Sequence, residues 1–363
     1  MLLICQAGFE TSLSHELTAS GLTPQEQGPG WVLVAEPIPA PASTTGDPVE
    51  GPPAVIVPLA FAHLTLFATV ELRGESVNGL AQQIADYYLG SLRGERVEAA
   101  WPCWWHGPPE LVGLGRRVGS VEHAFGELLK KRLSRVAKLA VRDLPRGSGL
   151  ARGLFVFFAD FGRAFVARSA FVHGQRRMAD DDLAPSRSYL KVEEAYVVLG
   201  REPQPGETVV DLGAAPGGWS YSAAKRGAQV IAIDNGPLKG GALDHPAIEH
   251  RREDAFKFAP LPGVTYDWLF CDMVEEPHNV LRNIIDPWLA HGWCRRFVIN
   301  LKFGRVDPLV FMRELRAPDS VLMTRAPGTQ VRHLYHDREE FTLVGEVSGA
   351  DSLRTDTDLC SEM

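Results

Sequence analysis

The 363-residue chain has 45% hydrophobic and 23% charged residues, the composition of a globular protein of two or more domains. No apolar run approaches the roughly 18 residues that span a bilayer, and MLLICQAGFE lacks the basic start and small-residue cleavage site of a signal peptide, so a cytoplasmic protein with no membrane partner is expected. A formal net charge of −8 argues against a nucleic-acid partner at the level of the whole chain, and the scattered cysteines Cys5, Cys103, Cys271, Cys294 and Cys360 indicate neither a disulfide framework nor a metal.

In chain order, Leu2 to Cys5 reads as a strand, and Glu10 to Ala19, with Leu13 and Leu17 a turn apart, as a helix that stops at Gly21. Pro37 to Pro53 is dense in Pro, Gly, Ser and Thr without apolar periodicity and predicts a surface loop. VIVPLAF and HLTLFATVEL beyond it alternate like strands. Trp101, Trp104 and Trp105, beside prolines, read more readily as packing of a turn than as a platform for bases. From Leu111 to Arg152 ten Lys or Arg face three acids, a net +7, so local charge favours RNA where the total does not. Within that patch Val121 to Val141 places Leu128, Leu129, Leu133, Val136 and Leu139 at near-helical spacing. The other face carries Lys130, Lys131, Arg132, Arg135 and Lys138, candidates for RNA phosphates against the plainer reading of a solvated face. LFVFFADFGRAFVARSA then reads as a strand pair turning near Asp160 to Arg163.

At Ser186 the pattern changes to alternating helices and strands, the mark of an α/β, Rossmann-like parallel sheet covered on both faces. A helix is predicted at Leu190 to Leu199 and strands at Glu207 to Leu212, Gln229 to Asp234, Tyr266 to Cys271, Arg296 to Asn300 and Phe341 to Val344. VVDLGAAPGGWS is an apolar strand ending in an acid and entering a helix through glycines, the place where a doubly wound sheet binds its ligand. GAAPGG lacks the GxGxxG spacing of a dinucleotide site, which disfavours a dehydrogenase. S-adenosyl-L-methionine has no phosphate and needs close backbone approach with acids for its ribose and ammonium; Asp211, Gly213, Gly217 and Gly218 can offer these. Asp234, ending the next strand, is placed to accept ribose hydroxyls, and Asp254 in RREDAFKF to accept from the adenine amino group. Cys271 beside this site reads as core packing.

Lys191 in SRSYLKVEEA, Asp272 in FCDM, Lys302 in INLKF and Glu340 in HDREEF fall at strand ends or on the leading helix. Together with DLGAAPGGWS they resemble the Lys-Asp-Lys-Glu tetrad of the FtsJ-type ribose 2'-O-methyltransferases. CQAGFE, SRSYLKVEEA, DNGP, CDMVEEP, GWCR and LYHDREE further resemble the bacterial 23S rRNA cytidine 2'-O-methyltransferases of the RlmM type, which carry an N-terminal THUMP domain. The Pro-rich stretch and the tail after Gly345 depart from that pattern.

The resemblance implies an α+β ferredoxin-like region at residues 1–70, a THUMP-like RNA-binding domain at 71–172, a linker at 173–185, the methyltransferase domain at 186–347 and a tail at 348–363. It implies a 23S rRNA partner, with Ser188, Ala215, Pro216, Gly217, Gly218 and Trp219 as cofactor contacts and Asp234, Asp254 and Asp272 as the carboxylates of the pocket. Lys302 becomes the general base toward a ribose hydroxyl, a poor nucleophile that must be deprotonated and aligned with the methyl group. Lys191 and the sulfonium would lower the Lys302 pKa while Asp272 and Glu340 would raise it, and the sequence leaves the winner open. A lysine that stays charged could instead stabilise the alkoxide. Two other readings stand beside this one: a base N-methyltransferase, although CDMVEEP stands where an Asp/Asn-Pro-Pro-Tyr/Phe motif would be, and a non-catalytic RNA-binding protein that kept the fold. A monomer is expected, since one chain would hold both RNA-binding and catalytic domains.

Overall fold

The computed structural model describes residues 1–35, 59–92 and 94–348. The Pro37 to Pro53 loop, the start of VIVPLAF, Cys360 and nearly all of the 348–363 tail lie outside the described residues. The chain divides into two compact units, Met1–Gly174 and Gln175–Met363.

Alternation along one strand feeds two core clusters of the first unit. Leu154, Val156 and Phe158 pack with Leu80, Ile84, Phe125 and Leu129, while Phe155 and Phe157 pack with Leu2, Ile4, Trp31 and Phe165, the period of two that a pleated strand imposes. The elements are β1 (Leu2–Ile4), α1 (Glu10–Ala19), β2 (Pro24–Gly28), β3 (Trp31–Val34), β4 (Leu64–Phe67), β5 (Val70–Arg73), α2 (Val77–Ser91), β6 (Trp101–His106), α3 (Leu114–Arg132), α4 (Ser134–Lys138), β7 (Ala140–Val141), β8 (Ser148–Phe158) and β9 (Arg163–His173). Their sheet runs β2-β3-β1-β4-β9-β8-β6-β7, with β5 also on β9.

Three expectations are corrected here. The division near residue 70 is bridged, because the long β9 pairs end to end with both β4 (Leu64 opposite Val172) and β5 (Val70 opposite Val166). The basic stretch is two helices rather than one. The seam of α3 is Leu114, Val118, Val121, Phe125 and Leu129, and at Leu133, which is exposed, the backbone leaves the helix. Leu59 to Phe61 forms a bend instead of a strand, because the buried Glu16 carboxylate accepts from the Ala60 and Phe61 amides at 2.7 and 3.2 Å.

The second unit contains α5 (Tyr189–Leu199), β10 (Thr208–Leu212), α6 (Gly218–Ala224), β11 (Gln229–Ile233), β12 (Ile248–Arg251), β13 (Tyr266–Cys271), α7 (Pro277–Val280), a π-helical turn (Leu281–Ile285), α8 (Asp286–Ala290), β14 (Cys294–Lys302), α9 (Pro308–Leu315), α10 (Val321–Arg325), β15 (Gln330–Arg332) and β16 (Glu340–Glu346). The sheet order β12-β11-β10-β13-β14-β16-β15 reverses direction at β10, which opens the ligand crevice of a doubly wound fold between β10 and β13. Strands β10 to β14 are parallel as expected, whereas β16 runs antiparallel to β14 and β15. The short connection from β15 to β16 allows only an antiparallel return. Residues from Gln175 on, expected as linker, belong to this unit: the Arg176 amide donates to Glu194 Oε1 at 3.0 Å and the Met178 amide to His336 Nε2 at 3.2 Å.

Candidate active site

The glycines after β10 are required by geometry. Gly213 and Gly217 sit at φ +76° and +103°, a region that disfavours any side chain, and a Cβ would lie 2.2 Å from Met273 Cγ and 2.5 Å from Ala242 Cβ respectively. A Cβ on Gly218 would press on Ser186 Oγ at 3.1 Å and on the Tyr189 amide at 3.2 Å. The loop is held to the next strand by the Asp234 carboxylate, which accepts from the Ala215 amide at 3.0 Å and from the Gly236 amide at 2.7 Å. Its oxygens keep lone pairs for hydroxyl donors. The peptide between Ala215 and Pro216 is cis.

Other predicted cofactor residues are placed less directly. The Trp219 ring is buried against Phe270 and its Nε1 donates to the Ser188 carbonyl at 2.8 Å, which leaves its backbone for a ligand. Asp211 is also buried, accepts from Ser220 Oγ at 2.6 Å, and is pushed up to about 7 by burial, with the Asp272 charge adding to the shift. It therefore fixes the strand end instead of offering an open carboxylate. Ser188 Oγ pairs with Ser186 Oγ at 2.9 Å. Asp254 is exposed beyond β12, accepting from the Phe256 amide at 3.0 Å with Lys257 at 3.4 Å. The glycine cradle and the Asp234 carboxylate fit S-adenosylmethionine, which needs close backbone approach and an acceptor for its ribose.

Lys191, Asp272, Lys302 and Glu340 converge at one end of the sheet. Asp272 Oδ1 lies 2.7 Å from Lys302 Nζ and 3.7 Å from Lys191 Nζ, while Glu340 places Oε1 2.5 Å from Lys191 Nζ and Oε2 3.4 Å from Lys302 Nζ. Two ammonium groups thus alternate with two carboxylates. The antiparallel register sets Glu340 directly opposite Lys302; a parallel last strand would have carried its first residue to the far edge of the sheet. Burial alone would depress the Lys302 pKa, but Asp272 and then Glu340 outweigh it and hold the pKa above the usual lysine value. Burial pushes Glu340 up, yet Lys191 and Lys302 leave it below the usual glutamate value. Cys271 is fully buried and pushed up to about 12 by burial, which suits packing and not nucleophilic attack.

Sequence reasoning missed the layer behind the tetrad. Asn300 Oδ1 accepts from Lys302 Nζ at 3.3 Å, and its Nδ2 donates to Asp337 Oδ1 and Thr342 Oγ1, both at 3.1 Å. Asp337 Oδ2 accepts from the Leu334 amide at 2.9 Å. The signal was the strand period: Asn300 precedes Lys302 by two on β14, and Thr342 follows Glu340 by two on β16, so each pair shares a face. Glu194, one turn after Lys191 on α5, is fully buried and accepts from both the Arg176 and Tyr335 amides at 3.0 Å.

In the first unit, Lys130 pairs with Glu127 at 2.7 Å and Arg132 with Asp86 at 2.9 Å, while Lys131, Arg135 and Lys138 are exposed. Trp101 is buried against Tyr88 and donates to the Val136 carbonyl at 2.9 Å. Trp105 packs on Phe125, and Trp104 stacks on His106 with ring centroids 5.3 Å apart. Among the described residues no helix is long and apolar enough to cross a membrane, and no group of three or more His, Cys, Asp or Glu could hold a metal.

Residues 184–301 match the FtsJ-like methyltransferase family. The chain is 33% identical to ribosomal RNA large subunit methyltransferase M of Laribacter hongkongensis, over 94% of this chain and 95% of that one. It is 34% identical to the protein of the same name from Halorhodospira halophila, again over 94% and 95%. The Marinomonas sp. protein of that name is 43% identical over 51% of this chain and 55% of its own.

Proposed function

The chain belongs to the ribosomal RNA large subunit methyltransferase M family, and from that premise we propose that its S-adenosylmethionine-dependent 2'-O-methylation of 23S rRNA is carried by Lys302, held between Asp272 and Glu340. The single observation behind this assignment is the alternating square of Lys191, Asp272, Lys302 and Glu340 beside the glycine cradle. Bound S-adenosylmethionine supplies a methyl group on a sulfonium. Gly213, Ala215 to Gly218 and Asp234 hold the cofactor, and Asp272 stands at the junction of that pocket with the lysines. Asp254 stays a candidate for the adenine amino group. The target nucleoside is cytidine, and the protein acts as a cytoplasmic monomer.

As general base, Lys302 Nζ would take the 2'-hydroxyl proton, leaving the ribose oxygen free to accept the methyl group that S-adenosylmethionine would supply. Its pKa in the free chain lies above the ordinary lysine value, so it must first release a proton to solvent, which a further positive charge beside Asp272 favours. That same raised pKa supports a second reading, in which a charged Lys302 stabilises the developing alkoxide. Asn300 and Glu340 orient the amine in either case. In the first unit, Lys131, Arg135 and Lys138 carry RNA phosphates, with Lys130 and Arg132 contributing from ion pairs.

The test is tritiated methyl transfer to unmodified 23S rRNA by wild type and Lys302→Ala, with the product scored for alkali resistance. An alkali-resistant linkage that disappears in the variant supports the assignment. Methyl incorporation that leaves the chain alkali-labile would mean base methylation and overturn it.

A further inference from the structure

A target ribose cannot reach Lys302 alone. Its 2'-oxygen and its 3'-phosphate hang from adjacent ring carbons, so whatever brings the hydroxyl to the tetrad also brings a phosphodiester within a side chain's reach. The tetrad itself is electrically balanced, two lysines against two carboxylates, and leaves no cation spare for that charge.

Spare cations stand beside it. Arg187 is exposed one turn before Lys191, at the entry to α5. Arg177 is exposed with its guanidinium 5.7 Å from the centre of the Tyr335 ring. Neither makes an ion pair with a described residue, although Glu and Asp outnumber Lys and Arg 45 to 37 in the chain. His336 follows Tyr335, the residue whose ring Arg177 faces. Its Nε2 accepts the Met178 amide proton at 3.2 Å, so the ring proton sits on Nδ1 and can be donated. Burial and then the charges of Arg187, Arg177 and Lys191 hold this imidazole below its ordinary pKa against the opposing Asp180, so both arginines and the tetrad's Lys191 act on the same ring.

The mounting is rigid. Glu194 Oε1 accepts from the amides of Arg176 and Tyr335, so a buried carboxylate on the helix of Lys191 ties together the two segments that bear Arg177 and His336. A planar guanidinium fork matches a phosphodiester better than the point charge of a lysine does. We infer that Arg177, Arg187 and the Nδ1–H of His336 form a subsite for the RNA phosphodiester flanking the target ribose, separate from the cofactor cradle and the tetrad. This deepens the proposed function and rests on its RNA substrate.

The experiment measures binding of the full chain, saturated with S-adenosylhomocysteine, to an unmodified 23S rRNA transcript across a salt series. Wild type is compared with Arg177→Ala, Arg187→Ala, the double variant and Arg201→Ala, which removes the same charge at the far end of α5. Each of the first two variants is expected to weaken RNA binding about tenfold and to reduce the log–log salt slope by about 1. Cofactor affinity and the Arg201→Ala slope stay unchanged. An unaltered slope in the double variant, or an equal loss in Arg201→Ala, overturns the subsite. The alkali resistance of the wild-type product reports on the reaction separately: a labile product would sink ribose methylation while the slopes still decide the phosphate contact.

Discussion

Asn300 Oδ1 accepts from Lys302 Nζ at 3.3 Å while the same side chain donates from Nδ2 to Asp337 Oδ1 at 3.1 Å. The carboxyl group behind the amide therefore decides which end of Asn300 faces Lys302. Asp337 is fully buried, and burial, with Glu340 adding to it, pushes its pKa well above the ordinary range.

Asp337→Asn should separate this orienting role from packing. One asparagine oxygen cannot accept from both Asn300 and Leu334, and an amide NH2 turned toward Asn300 forces that residue to flip and point its own NH2 at Lys302. Methyl transfer is expected to fall at least about tenfold, the equivalent of ~1.4 kcal/mol, with a melting temperature close to wild type. Asp337→Ala, which leaves buried donors unpaired, should lose about 1–3 kcal/mol of stability. Calorimetry and single-turnover rates on both variants check this; equal destabilisation without a selective rate loss would make Asp337 merely structural.

The pKa of Lys302 is raised, so the amine carries its proton below that value and is lost as a cation only as pH climbs through it. A general base then gives a kcat/KM that rises with pH across the neutral and mildly alkaline range. Glu340→Gln removes one carboxylate that holds the proton, and should move the ascending limb to lower pH while reducing the plateau. A profile flat with pH in both proteins would favour the charged, alkoxide-stabilising lysine.

Gly213→Ala and Gly217→Ala both impose a left-handed conformation on alanine, at about 1–2 kcal/mol. Their further costs differ. The new Cβ of the first meets the flexible side chain of Met273, whereas that of the second meets Ala242 Cβ, which moves only with its backbone. Gly217→Ala should be the more destabilised in urea and the weaker binder of S-adenosylmethionine by titration calorimetry, and the opposite order would contradict the cradle geometry.

His278 bridges Glu276 at 2.6 Å and Glu314 at 2.8 Å, and the Glu276 hydrogen bond, with Glu314 supporting it, raises its pKa above the ordinary histidine value despite some burial. Stabilisation from a raised pKa is complete below the unfolded value and fades as pH rises through the folded one. The melting-temperature gap between wild type and His278→Gln should thus be larger near pH 6 than near pH 9. Equal gaps at the two pH values would mean that charge on His278 contributes nothing.

Features encoded by neighbouring residues were legible in the sequence alone. The strand, glycine turn and helix of VVDLGAAPGGWS are adjacent in the chain, as are the periods that marked α1, α5, β10, β11 and β13, and motif context singled out Lys191, Asp272, Lys302 and Glu340. The continuity of the first sheet through β9, the break at Leu133 and the inward turn of Trp219 depended on partners far along the chain, which no local period records. The direction of β16 did as well, and with it the pairing of Glu340 opposite Lys302. Which influence on the Lys302 pKa is the larger became legible only in three dimensions. Two carboxylates brought within hydrogen-bonding distance outweigh the burial of the amine, and that balance turns on ångström separations between residues up to 68 positions apart, Asp272 to Glu340.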